Sequence, residues 1–92
     1  MRITVTFFGQ ARQLAGTDRR VVEVADDATV ADVVAAATQD EPEVVRKLLF
    51  TEDDALRRNI LAPVNGTVVD TTTKGSLQDN DDVAIYTALA GG

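Results

Sequence analysis

The chain has 92 residues, of which 45% are hydrophobic, and its formal net charge at pH 7 is −6. This length suits one domain with a single core, and this hydrophobic content excludes a disordered chain. The sequence contains no cysteine and no histidine, which excludes disulfides, a thiol nucleophile, and the commonest general base and metal ligand.

The excess of acidic over basic residues also limits the classes of molecule that the protein can bind. A phosphate backbone must be met by clustered lysine and arginine, so we expect no direct nucleic-acid binding. The sequence has no apolar run of about 18 residues, and its N-terminus lacks a signal-peptide pattern. These observations predict a cytoplasmic protein with no membrane partner.

The first third of the chain predicts two strands. Residues 2–8 alternate, with Ile3, Val5 and Phe7 on one face, which is typical of a half-buried strand. Residues 9–16 favour a short helical turn that ends at Gly16. Residues 19–24 predict a second strand, and the short connection favours antiparallel pairing with the first.

The clearest helix follows Thr29, which is a candidate N-cap with Asp32 three residues later. The apolar residues of this segment recur at helical spacing, which predicts a stripe that packs on the core. They are Val30, Val33, Val34 and Ala37. Pro42 ends the pattern, and helical spacing resumes over residues 43–50.

The second half predicts three further segments after a charged loop over residues 51–59. Residues 60–64 predict a strand that Pro63 restricts to a sheet edge or a bulge. Asn65-Gly66 predicts a tight turn, with a short return over residues 67–69. Residues 83–89 predict the last strand, which follows an acidic turn over residues 79–82.

This order predicts an α+β fold of the β-grasp (ubiquitin-like) type, in which one main helix packs across one face of a mixed sheet. In this arrangement the last strand is central and parallel to the first. We expect the domain to comprise residues 1–89 and Ala90-Gly91-Gly92 to be a flexible tail.

Three segments carry a family resemblance. They are Phe8 to Gly16 after the first strand, the turn Val64-Asn65-Gly66, and Leu77 to Ile85 followed by the terminal Gly91-Gly92. In this order they resemble the ubiquitin-like sulfur carriers, which include the MoaD-type small subunit of molybdopterin synthase, ThiS and the small archaeal modifier proteins. The chain departs from the family in having no proline just before Ala90 and in having Asn80 where a glycine is usual.

The resemblance implies a protein that does not catalyse and binds no cofactor of its own. An E1-like enzyme would use ATP to adenylate the carboxylate of Gly92, with Gly91 and Ala90 threading a narrow channel. A persulfide donor would then convert the adenylate to a thiocarboxylate. The sulfur would pass to a molybdopterin precursor, with the molybdopterin synthase large subunit as partner, or to tRNA. The same activated end could instead form an isopeptide bond with lysines of target proteins.

Strand alternation places a candidate partner-binding face on the side of the sheet that the helix leaves uncovered. Its members are Leu61, Pro63, Ala84 and Tyr86. Lys47 and Lys74 are the only lysines of the chain, so they would be the acceptors if the protein conjugated to itself.

Two alternatives stay open at this stage. The chain could be a β-grasp interaction module in which Gly91-Gly92 has no role. An enzyme is disfavoured, because the sequence has no serine-centred or phosphate-binding glycine motif. The acidic segments 52–54 and 79–82 lack calcium-loop spacing, so no metal site is expected.

Overall fold

The computed structural model describes residues 1–87, which form a mixed sheet with helices against one face. The elements, in chain order, are β1 (Arg2–Phe7), α1 (Gly9–Ala15), β2 (Arg19–Glu23), α2 (Val30–Thr38), α3 (Glu43–Leu49), β3 (Ile60–Leu61) and β4 (Asp82–Thr87). None of the helices within these residues is long and apolar enough to cross a membrane.

The strand order in the sheet is β2-β1-β4-β3. Strand β1 pairs antiparallel with β2 and parallel with β4, where Val5 lies beside Val83. Strand β3 pairs antiparallel with β4, through Leu61 opposite Tyr86. The predicted β-grasp topology is therefore confirmed, with the last described strand in the interior of the sheet.

The core lies between the sheet and the helices. It contains the alternating inward side chains of β1 and β4 together with the apolar stripe of α2, and α1 and α3 close its remaining sides. The fully buried side chains of this layer include Ile3, Val5, Phe7, Val30, Val33, Val34, Val45, Leu49, Val83 and Ile85. The main helix predicted on this face is α2, and the helical segments predicted over residues 9–16 and 43–50 form the two seven-residue helices beside it.

Helix α2 begins where the sequence predicted it. The Thr29 hydroxyl accepts a hydrogen bond from the Asp32 N–H at 3.0 Å, and the Asp32 carboxylate accepts one from the Thr29 N–H at 3.0 Å. This reciprocal pair is a capping box, which satisfies two backbone donors at the helix start. Helix α1 ends at Gly16, whose φ of 71° is left-handed, also as predicted.

The segment after β3 differs in part from the prediction. Asn65 and Gly66 have φ of 50° and 86°, and Val64 and Thr67 exchange two backbone hydrogen bonds across them at 2.9 and 3.0 Å. The predicted tight turn is therefore confirmed. The strand predicted over residues 60–64 ends at Leu61, although the chain stays beside β4 and forms an isolated bridge between Val64 and Val83. The regular ladder stops because Pro63 has no N–H to donate to it. Residues 67–69 contribute only the isolated bridge from Thr67 to Val64.

Candidate partner-binding surface

The face of the sheet opposite the helices carries an apolar patch on the β4–β3 side. Tyr86 is 40% exposed and Leu61 is 44% exposed, and the two are register partners across the β3–β4 ladder. Ala84 lies two residues before Tyr86 on the same face and is half-buried. The structure therefore places three of the predicted face residues on one surface.

Phe8 joins this surface, although sequence reasoning did not include it. Its ring stacks on the Tyr86 ring with centroids 4.6 Å apart and an interplanar angle of 6°, and Phe8 remains 38% exposed. The signal was present in the alternation of β1, since Phe8 continues the outward series of Thr4 and Thr6. We call Phe8, Leu61, Ala84 and Tyr86 the apolar patch.

The prediction for Pro63 is wrong. Pro63 is buried, and so is its neighbour Ala62, whereas strict alternation would bury only one of the two. The regular strand has already ended at Leu61. The Pro63 carbonyl still accepts a hydrogen bond from the Ala84 N–H at 3.0 Å, which holds this segment against β4. Pro63 is therefore a packing residue rather than part of the exposed patch.

The apolar patch adjoins the point where β4 ends. The Phe8 N–H donates to the Ile85 carbonyl at 3.0 Å, and Thr87 is paired with Ile60 of β3. A Cβ atom placed on Gly9 would lie 3.8 Å from the Thr87 hydroxyl oxygen. Leu89, the predicted boundary of the domain, and the predicted tail residues Ala90, Gly91 and Gly92 lie outside the described residues.

The two lysines lie on other parts of the surface. The Lys47 side chain on α3 is 73% exposed, and its ammonium nitrogen is 3.8 Å from the Glu43 carboxylate. Lys74 is exposed in the loop that precedes Gly75. Both ammonium groups are therefore accessible to solvent, as a conjugation acceptor must be.

The acidic turn before β4 has a structural role. Its left-handed residue is Asn80, with a φ of 70°, which explains how asparagine replaces the usual glycine. The neighbouring carboxylates accept hydrogen bonds from the Arg2 N–H at 2.7 Å, the Gln78 N–H at 2.8 Å, the Asn65 side-chain amide at 2.9 Å and the Thr6 hydroxyl at 3.1 Å. The turn thus fixes the start of β4 beside β1. Within residues 1–87 no group of three or more carboxylates is arranged to hold a metal ion.

The Asp70 carboxylate shapes a turn that lies beside the start of α2 in the fold. The Thr72 hydroxyl and the Thr72 N–H donate to the Asp70 carboxylate at 2.6 and 2.8 Å, and these bonds lower the pKa of Asp70 below its ordinary value. The adjacent Thr71 carbonyl accepts a hydrogen bond from the Ala31 N–H at 3.1 Å. This turn therefore satisfies a further backbone donor of α2 and does not contribute to the apolar patch.

Comparison with known proteins shows which proteins are similar to this chain in sequence and fold. The model of the ThiS family matches residues 5–92. A molybdopterin synthase sulfur carrier subunit from Chlamydomonas reinhardtii is 28% identical over 92 residues, covering the whole of both chains. The crystal structure of SAMP1 from Haloferax volcanii is similar with a TM-score of 0.87 and 23% identity, over the whole of both chains. A putative molybdopterin converting factor, subunit 1, from Pyrococcus furiosus gives a TM-score of 0.74 and 27% identity, covering 97% of this chain and 99% of that one.

Proposed function

The chain belongs to the ThiS family, and we propose that it carries sulfur on the carboxyl group of Gly92 after an E1-like enzyme has activated that group. Proteins of this kind are ubiquitin-like sulfur carriers and modifiers, and they are not catalysts themselves. The reactive group would be supplied by this chain, and the catalytic residues and ATP site would belong to the partner.

The proposed chemistry consists of an adenylyl transfer, an acyl transfer and a thiol–disulfide exchange. The Gly92 carboxylate attacks the α-phosphorus of ATP, which forms a mixed anhydride with AMP and releases pyrophosphate. The terminal sulfur of a persulfide on the donor protein attacks the acyl carbon and expels AMP. Reductive cleavage of the resulting acyl disulfide by a thiol then leaves the thiocarboxylate on Gly92 and a disulfide on the donor.

The observation that carries the proposal is the position of the apolar patch at the end of β4. The five residues that follow Thr87 can span at most about 18 Å. A partner that covers Tyr86 and Leu61 would therefore have the Gly92 carboxylate within that distance. Exposed aromatic and aliphatic side chains in one cluster are typical of a protein-binding surface.

The relative from Chlamydomonas supports the sulfur acceptor that we propose. It is named a sulfur carrier subunit of molybdopterin synthase and matches this chain from end to end. We therefore favour sulfur donation in molybdopterin synthesis, with the large subunit of the synthase as the second partner. Thiolation of tRNA would use the same thiocarboxylate, delivered to a different acceptor.

A modifier role shares the adenylation step and differs in the nucleophile. A lysine amine of a target protein would attack the activated carbonyl of Gly92 and form an isopeptide bond. The exposed ammonium groups of Lys47 and Lys74 make this chain itself a candidate target. Changing both lysines to arginine would abolish self-conjugation and leave sulfur loading unaffected.

Intact-mass spectrometry tests the proposal directly. The protein is incubated with ATP, the E1-like enzyme and a persulfide donor, and then weighed. A gain of about 16 mass units indicates exchange of one oxygen for sulfur. The gain should be lost in a variant that lacks Gly92 and in one with a residue added after it. No gain with an enzyme that loads another carrier would refute the proposal and favour the interaction-module alternative.

A further inference from the structure

The strand β2 forms an edge of the sheet, and its outer backbone groups are directed away from β1. The pairs that flank the β1–β2 ladder are hydrogen-bonded, from the Phe7 N–H to the Asp18 carbonyl and from the Val24 N–H to the Met1 carbonyl, both at 2.9 Å. Bonded pairs alternate in an antiparallel ladder. Arg20 and Val22 therefore bond to β1, and the N–H and carbonyl groups of Arg19, Val21 and Glu23 point to the open edge.

Those outward groups are available to a further strand. Neither Val21 nor Glu23 makes a backbone hydrogen bond away from β1 within residues 1–87. The Arg19 N–H and carbonyl contact only the Thr17 hydroxyl, at 3.4 and 3.2 Å, a weak pair of contacts that a strand could replace. A groove lies between β2 and α2 and is lined in part by Val22, Ala36 and Gln39.

The sequence of β2 is complementary to itself. When two copies of Arg19–Glu23 run antiparallel about a two-fold axis at Val21, Val21 faces Val21 and Arg19 faces Glu23 of the second copy. These residues lie on the outer face, opposite the helices, because Val21 is the register partner of Thr4. Val21 is 56% exposed, and Arg19 takes part in none of the ion pairs within residues 1–87.

We infer that β2 is the site of a symmetric homodimer, in which two sheets join edge to edge into one continuous sheet. The outward backbone groups of Val21 would bond to those of Val21 in the second copy, and Arg19 would bond in the same way to Glu23 of that copy. Glu23 already accepts a hydrogen bond from the Arg2 side chain at 3.1 Å. In the dimer its carboxylate would lie between that guanidinium and Arg19 of the second copy, forming a charge-paired row on each side of the axis.

This dimer goes beyond the proposed function and does not depend on it. Strands β2 and β3 are at opposite edges of the sheet. The dimer would therefore leave the apolar patch of each copy uncovered.

Sedimentation equilibrium of the full chain tests the inference. A short edge-to-edge contact belongs to the weak class of interfaces that bury less than about 1,200 Å², so the measurement should extend to about 1 mM protein. We expect a monomer–dimer equilibrium. Each of the single variants Arg19→Glu and Glu23→Arg creates two pairs of like charges, one on each side of the two-fold axis. Each variant should therefore raise the dissociation constant of the dimer about tenfold.

Mixing the two variants provides the matched control. The acidic edge of Arg19→Glu faces the basic edge of Glu23→Arg in a mixed dimer, so the equimolar mixture should associate at least as well as the parent. Thermal melts of each variant alone would verify that it folds. A chain that stays monomeric to about 1 mM overturns the inference, as does a dimer that neither variant weakens, or a mixture no better than its components. Association of β2 only with an extended peptide of another protein would also overturn it.

Discussion

Replacing Tyr86 with alanine would remove the centre of the apolar patch. Tyr86 is 40% exposed. For an aromatic side chain of about 200 Å², this leaves about 80 Å² for a partner to cover. At about 25 cal/mol per Å² that area corresponds to about 2 kcal/mol, the size expected of an interface hot spot. We therefore expect the dissociation constant for the E1-like partner to rise about 30-fold.

The same substitution removes the stack on Phe8, which should lower the free energy of unfolding by about 1 kcal/mol. Isothermal titration calorimetry with the partner measures the first effect, and thermal denaturation measures the second. Val44→Ala is the matched control, because Val44 is 53% exposed on α3, in the helix layer. Binding by Tyr86→Ala within twofold of the parent would refute the docking role, as would an equal loss in Val44→Ala.

Three further predictions concern the elements that position α2 and β4. Thr29→Ala removes the capping-box hydroxyl, so the free energy of unfolding should fall by about 1 kcal/mol and Tm by about 4–8 °C; an unchanged thermal melt would contradict this. Asn80→Gly keeps the left-handed turn, whereas Asn80→Val strains it, so the urea midpoint should stay near the parent's for glycine and fall for valine; equal midpoints would refute the strain argument. The ionised Asp70 carboxylate should stabilise the fold at pH values above its ordinary pKa of 3.8, and that contribution is lost as the pH falls through the lowered pKa. The free energies of unfolding of the parent and of Asp70→Asn should therefore converge as the pH is lowered. A difference that stays constant with pH would refute the stabilising role of the Asp70 carboxylate.

Most of the fold could be predicted because its signals are local. Thr29 and Asp32 interact across one helical turn, and Asn65-Gly66 requires positive φ at two adjacent positions. The alternation of β1 buries Ile3, Val5 and Phe7 regardless of what covers them. These features depend on residues within a few positions of one another, so the sequence displays them directly.

The patch could be predicted only in part, because it depends on which segments come together. Alternation correctly placed Leu61, Ala84 and Tyr86 on the uncovered face. Alternation failed at Pro63, where the regular strand had already ended. The outward series of β1 was not extended by one residue to include Phe8. The stack of Phe8 on Tyr86 joins residues 78 positions apart along the chain, so no local pattern reports it.

The sequence by itself determined the class of fold and the family resemblance, because spacing, turn residues and the absence of cysteine and histidine are properties of the chain alone. Only the tertiary structure decided where β3 ends, which apolar side chains share the surface beside the end of β4, and which backbone groups of β2 face outward. Those features arise from the pairing of distant segments, whose register and burial are set by packing of the whole core rather than by any one stretch of residues.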